Sequence, residues 1–241
     1  MKISLLTDAP KHNLALMKLS AWHKANGDEV SLNMPLFPAD YRYASILFEQ
    51  NQKQFIADEY GGPGYEIQDS SWGVSSNGLG GSGESRWHDK KSNRSRTPGI
   101  RRNLREEVEN QRPDYALYPI DYSLGYTYRP CFNGCDFCKV PRMDHPDIEH
   151  HSIWEFHNPE FKKICLLNNN TFQDFKWKET FEEIWDANLT VIDENGYDLR
   201  LLDDEKADAL KRTKWQGKLH FAWDRMVDEP LIIYGLKMLK K

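Results

Sequence analysis

The segment RPCFNGCDFCKV, residues 129–140, holds Cys131, Cys135 and Cys138 within eight positions. Thiolates this close can bridge in pairs, bind zinc or hold an iron–sulfur cluster. The rest of the chain weighs on the choice. Its 241 residues are 39% hydrophobic and 12% aromatic, enough to bury a core as one large or two small domains. A net charge of −5 gives no overall attraction to nucleic acid or an anionic membrane. No apolar run reaches the ~20 residues that span a bilayer, and MKISLLTDAPKHN turns polar too early for a secretory signal. A cytoplasmic protein is therefore expected, without a membrane partner and with no nucleic-acid role indicated. Reducing compartments rarely keep structural disulfides, and one bridge would strand the third thiol. Metal or redox chemistry is the expectation.

The elements that must position these thiols can be read from periodicity. KISLL at the N-terminus predicts a strand. NLALMKLSAWHKANG then predicts a helix with Leu14, Met17, Ala21 and Trp22 on one face, stopped at Asn26 and Gly27. EVSLNMP, QFIADEYGGPGY and DYALYPI read as further strands and NLREEVENQR as a helix, the rhythm of an open, Rossmann-like α/β sheet. Residues 70–102, rich in serine, glycine and basic residues, read as a flexible insertion. The alternative, a basic arm stacking Trp72 and Trp87 on nucleic-acid bases, has thin aromatic support.

Beyond residue 120 the alternation resumes. KKICLLNNN, NLTVIDENG and KLHFAWD predict strands, and the helices are expected over 174–188, in DDEKADALKRT and in EPLIIYGLKMLKK. In the first of these, Trp177, Phe181, Ile184 and Trp185 share a face. Consecutive β/α units imply a parallel sheet, as in part of a (β/α) barrel, where reactive groups collect at the C-terminal strand ends. Those ends carry the cysteines, then Asn168, Asn169 and Asn170, then ENGYDLR at 194–200, then Asp224 and Arg225. Cys165, in mid-strand, reads as a core residue. Three loop thiolates would satisfy three irons of a four-iron, four-sulfur cluster and leave one iron open, whereas ordinary electron-transfer clusters use four cysteines.

CFNGCDFC resembles the cysteine motif of the radical S-adenosylmethionine (radical SAM) superfamily, including the aromatic residue before the last cysteine. LLNNNTF, NGYDLRLLDDEKADAL and FAWD are similar to later strand ends of one subgroup, whose barrel follows a cobalamin-binding-like domain. The resemblance implies a cobalamin-binding-like α/β domain over 1–120 and a radical SAM core over 121–241. It implies a [4Fe-4S] cluster on Cys131, Cys135 and Cys138, with S-adenosylmethionine chelating the open iron. Reductive cleavage would then give a 5′-deoxyadenosyl radical that abstracts hydrogen from a substrate the sequence does not name. No catalytic residue for that transfer is identified. Phe137 would lie against adenine, Asn168, Asn169 and Asn170 would meet the amino group, and Asp198 and Arg200 the ribose and carboxylate. A one-electron donor such as flavodoxin or ferredoxin is the implied partner. The subgroup's Asp-x-His-x-x-Gly loop is replaced by TDAPKHNLAL, with Asp8 and His12 at another spacing, so bound cobalamin is not expected. Only 103 residues follow Cys138, room for about four β/α units in all, so the core is expected to be incomplete.

Two alternatives stand beside this. One is a structural zinc module that binds a partner, with His145, His150 or His151 completing the cysteine set. The other is a degenerate homologue that keeps the cluster without the radical chemistry.

Overall fold

The structure, a computed structural model, describes residues 1–34, 36–65, 99–101, 103–138, 140 and 149–240. Most of the expected insertion, with Trp72 and Trp87, lies outside the described residues, as does His145. The fold is α/β, with two wholly parallel sheets.

The first sheet contains β1 (Lys2–Thr7), β2 (Glu29–Leu32), β3 (Tyr41–Ser45), β4 (Glu59–Gly61) and β5 (Gly99–Arg101), in the order β2-β1-β3-β4-β5. Ile3 and Leu5 of β1 pack with Leu16 and Leu19 of α1 (Leu14–Ala25), while Leu6 meets Ala44 and Ile46 around β3. Both faces of the strand are thus covered, as parallel sheets require. Asn13 caps α1 by accepting from the Leu16 amide at 3.2 Å, and Gly27, at φ +80°, turns the chain out of the helix.

Three local expectations need correction here. DYALYPI forms a 3-10 turn at Tyr115–Leu117 instead of a strand. Asp114 caps that turn, and Pro113 and Pro119 bring no amide donor to a ladder. The fourth position in the sheet is filled by β4, flanked by the unforeseen β3 and β5. β3 was hidden by its half-buried Tyr41-Arg42-Tyr43, and β5 closes the segment expected to be flexible as far as residue 102.

The second sheet holds β6 (Ser123–Gly125), β7 (Lys163–Leu166), β8 (Thr190–Ile192) and β9 (Lys214–Gln216), in sequential order. α3 (Trp177–Asp186) joins β7 to β8, α4 (Asp204–Arg212) joins β8 to β9, and α5 (Glu229–Lys240) follows. The short α2 (Glu106–Glu109) precedes this sheet. α3 buries Trp177, Phe181 and Ile184, the spacing read from sequence, and Phe181 sits among the rings of Phe172, Trp177 and Tyr197. The last strand is displaced from its expected place. Trp215 of β9 packs on Tyr197 and donates to the Leu210 carbonyl, Gly217 (φ +89°) ends the strand, and Phe221 keeps only an isolated bridge to Tyr197.

The two sheets share a core. On the face of the second sheet away from α3, Leu124 and Cys165 pack with Met17 of α1 and with Tyr118. α1 therefore lies between the sheets. Among the described residues no helix is long and apolar enough to cross a membrane.

Candidate functional site

The thiol loop springs from the end of β6, and the end of β7 fastens it. Gly125 has no room for a side chain, since a Cβ there would stand 2.4–2.6 Å from ring carbons of Phe156. Beyond it, the buried Asn168 accepts from the amides of Thr127 (2.9 Å) and Tyr128 (3.1 Å) and donates to the hydroxyls of Thr127 (2.8 Å) and Thr171 (3.3 Å). The Asn169 side chain donates to the Arg129 carbonyl. Five residues of chain are thus set before the first cysteine.

The loop itself is gripped between its first two cysteines. Gln173 accepts from the Phe132 amide at 2.7 Å and donates to Asn133 Oδ1 at 2.9 Å. Asn133 in turn donates to Asp198 at 2.9 Å. A turn then brings the Cys138 amide to the Cys135 carbonyl at 3.0 Å. Cys131, Cys135 and Cys138 are unpaired and half-buried, and the neighbouring Phe137 ring is 72% exposed.

Asp198 is the hub beneath this loop. Its carboxylate takes a two-pronged pair from Arg200 (Nε and a terminal nitrogen, both 2.7 Å), together with Asn133 and Asn170 (3.3 Å). Burial opposes its ionisation, yet the Arg200 fork and the Asn133 amide outweigh burial and hold the carboxyl below the ordinary carboxylate range. Arg200 also reaches Asp228 at 3.2 Å, which Arg225 grips in turn. Burial and then the Asp224 charge push the Cys135 thiol up; Arg200 opposes them, and the other two thiols add to the rise.

The residues singled out by sequence therefore fall into distinct situations. The three loop cysteines and Phe137 lie together on one accessible loop. Asp198 and Arg200 neutralise each other, and Asn168 is wholly occupied in holding β6. Asn169 and Asn170 use only their NH2 groups among the described residues, which leaves two amide oxygens as acceptors. Cys165 is fully buried, and burial pushes its thiol up to about 12. Of the histidines considered for zinc, His150 lies 2.6 Å from Asp174 and His151 2.9 Å from Glu155. Among the described residues no three Cys, His, Asp or Glu side chains gather closely enough to grip one metal ion.

Asn133, Gln173 and Asp228 escaped the sequence reading. Asn133 carried a faint signal, as a polar residue inside the cysteine motif. Gln173 and Asp228 carried none, since their roles depend on how the loops meet. No protein-family model matches the chain, and no curated protein matches it.

Proposed function

We propose that this chain is an iron–sulfur protein of the radical SAM kind, with Cys131, Cys135 and Cys138 as cluster ligands. One observation carries the reading: three unpaired thiols in Cys-x3-Cys-x2-Cys spacing lie on the loop after the first strand of a sequentially ordered parallel sheet. That neighbour order and that end of the strands are where a β/α barrel places its reactive groups, so the second sheet would be part of such a barrel. The donor set fits. Cys165 is sealed in the core with a raised thiol, which leaves three thiolates on the loop and not four.

When bound, the cluster would supply the electron, drawn from a flavodoxin or ferredoxin, for reductive cleavage of S-adenosylmethionine to a hydrogen-abstracting 5′-deoxyadenosyl radical. The chain's own residues bind and orient. Gln173 and Asp198 hold the loop between its first two cysteines, and Asn168 fixes the strand that delivers it. The free amide oxygens of Asn169 and Asn170 suit an ammonium group, and the exposed Phe137 ring offers a flat apolar face to adenine. Asp198 and Arg200 support the loop through their ion pair, and the ribose and carboxylate contacts that the resemblance implies for them stay part of the proposal.

The test is reconstitution with iron and sulfide without oxygen, followed by measurement of iron, sulfide and zinc. Dithionite and S-adenosylmethionine are then added and 5′-deoxyadenosine is assayed. About four irons per chain are expected, lost in Cys131→Ala, Cys135→Ala or Cys138→Ala and kept in Cys165→Ala. Zinc without iron uptake, or iron stripped by Cys165→Ala alone, would overturn the assignment. Cluster without 5′-deoxyadenosine would leave the ligand assignment standing and sink the radical chemistry.

A further inference from the structure

The thiol loop contains a pair of residues that can react with each other. In an Asn-Gly pair the glycine nitrogen can attack the asparagine side-chain carbonyl, because glycine has no side chain to bar the approach. Asn26-Gly27, Asn133-Gly134 and Asn195-Gly196 are the Asn-Gly pairs among the described residues. They differ at the nitrogen that must attack. The Gly27 amide donates to the Lys24 carbonyl at 3.0 Å, and the Gly196 amide donates to Asp193 at 2.9 Å. Both glycines are also fixed in the left-handed region, at φ +80° and +75°. Gly134 is exposed, and its amide has no hydrogen-bond partner among the described residues. A Cβ placed on it would meet nothing within 4 Å. The nitrogen is therefore free, and there is room around it for a ring and for water.

The grip on the Asn133 side chain restrains the reaction. Its NH2 donates to Asp198 at 2.9 Å, and its oxygen accepts from Gln173 at 2.9 Å. Ring closure breaks the bond to Asp198, since that nitrogen is the one expelled. The leaving nitrogen also needs a proton. It faces a carboxylate that Arg200 keeps ionised in spite of its burial, which has no proton to give.

We propose that Asn133 is a site of spontaneous deamidation, and that the change releases the thiol loop from Asp198. The Gly134 nitrogen loses its proton and bonds to Asn133 Cγ, and the side-chain nitrogen leaves with a proton as ammonia. The five-membered imide then takes up one water and opens to aspartate or isoaspartate, with no change of oxidation state. Either product lacks the NH2 that donated to Asp198 and carries a carboxylate on the same residue. An attraction thus becomes a repulsion beside a buried charge. Isoaspartate also lengthens the main chain by one carbon between Cys131 and Cys135. Gln173 then holds the loop only at the Phe132 amide. The loop would carry an irreversible mark of age between its first two cysteines. None of this depends on the cluster assignment, because it needs only the loop's hydrogen bonds and a water.

The experiment ages the native full chain at neutral pH and maps its peptides by mass spectrometry for deamidation and isoaspartate. Asn133 should convert about tenfold faster than Asn26 and Asn195, whose glycine amides must first give up a hydrogen bond. In urea the three should convert alike. Gly134→Ala should stop conversion at Asn133 and leave the fold intact, since its methyl has open space around it. Gln173→Ala should speed conversion about fivefold by loosening the amide. Melting curves check that each variant is folded. Aged wild type and unaged Asn133→Asp should both show faster reaction of Cys135 with a thiol reagent, and aged Gly134→Ala should not. Native conversion at Asn133 no faster than at Asn26 and Asn195, or unaffected by Gly134→Ala, would overturn the site. A converted loop whose Cys135 reacts no faster than before would overturn the release.

Discussion

Replacing Asp198 by alanine should be the most informative single perturbation of the loop's support. The carboxylate is 8% exposed and accepts five hydrogen bonds: three from Arg200, counting its amide, and one each from Asn133 and Asn170. Removing one partner of a buried ion pair costs about 3–5 kcal/mol, because the other charge is left unpaired. Here the remaining Arg200 side chain is 19% exposed and still has Asp228 at 3.2 Å, so we expect about 2–3 kcal/mol. For a chain of this length that is a fall in Tm of roughly 5–10 °C. The pH dependence fixes the mechanism. A carboxyl whose folded-state value is depressed stabilises fully above its unfolded value, near 3.9, and that stabilisation is lost as pH falls from there through the folded value. Wild type and Asp198→Ala should therefore differ at neutral pH and begin to converge as the pH falls below about 4. Urea unfolding at several pH values measures both quantities. A difference under about 0.5 kcal/mol at pH 7, or one that persists unchanged into acid, would refute the hub role. A cycle with Asn133→Ala then isolates the part that reaches the loop. If Asp198 holds the loop, both variants speed the reaction of Cys135 with a thiol reagent.

Thiol counting makes a second prediction. The native chain should show three accessible thiols and one that reacts only on unfolding, because Cys165 is fully buried with its thiol raised to about 12. Four equally fast thiols would mean that the sheet-to-sheet core is not closed. Gly125→Ala should destabilise by about 1–3 kcal/mol, since the new methyl meets the Phe156 ring, and Phe156→Leu in the same chain should recover part of the loss. The stability of the double variant checks this. Phe181→Ala should cost about 3–5 kcal/mol by opening a cavity among Phe172, Trp177 and Tyr197, measured by urea unfolding.

What sequence could show of this molecule was set by how local each cause is. The α3 face was legible because Trp177, Phe181 and Ile184 repeat at helical spacing and need only one neighbour layer. The cysteine motif was legible because three rare side chains share one loop. β3 was not, because Tyr41, Arg42 and Tyr43 are each half-buried and show no alternation. DYALYPI misled because its apolar residues serve two cores at once: Leu117 meets both the first sheet's core and the core around Cys165. Asn168 stands at a strand end, as read from sequence, and the structure adds that its side chain fastens the backbone of Thr127 and Tyr128, a contact between distant segments that no local pattern announces.

α1 explains why the two sheets cannot be treated as separate pieces. Its periodicity suggested one apolar face with Leu14 and Met17, which is the side that meets Leu124 and Cys165. The structure adds a second face, Leu16 and Leu19, against Ile3 and Leu5. A helix apolar on two sides must be covered on two sides, so the first sheet and the second each complete the other's core. Just ahead of the helix the coupling becomes polar. Lys11 Nζ reaches Glu194 at 2.9 Å, His12 Nε2 lies 3.4 Å from the same carboxylate, and its Nδ1 lies 2.7 Å from the Tyr122 hydroxyl. Glu194 and Asp198 belong to the same loop after β8, and Asp198 holds Asn133 between the first two cysteines. The start of α1 and the thiol loop are therefore connected through one short segment.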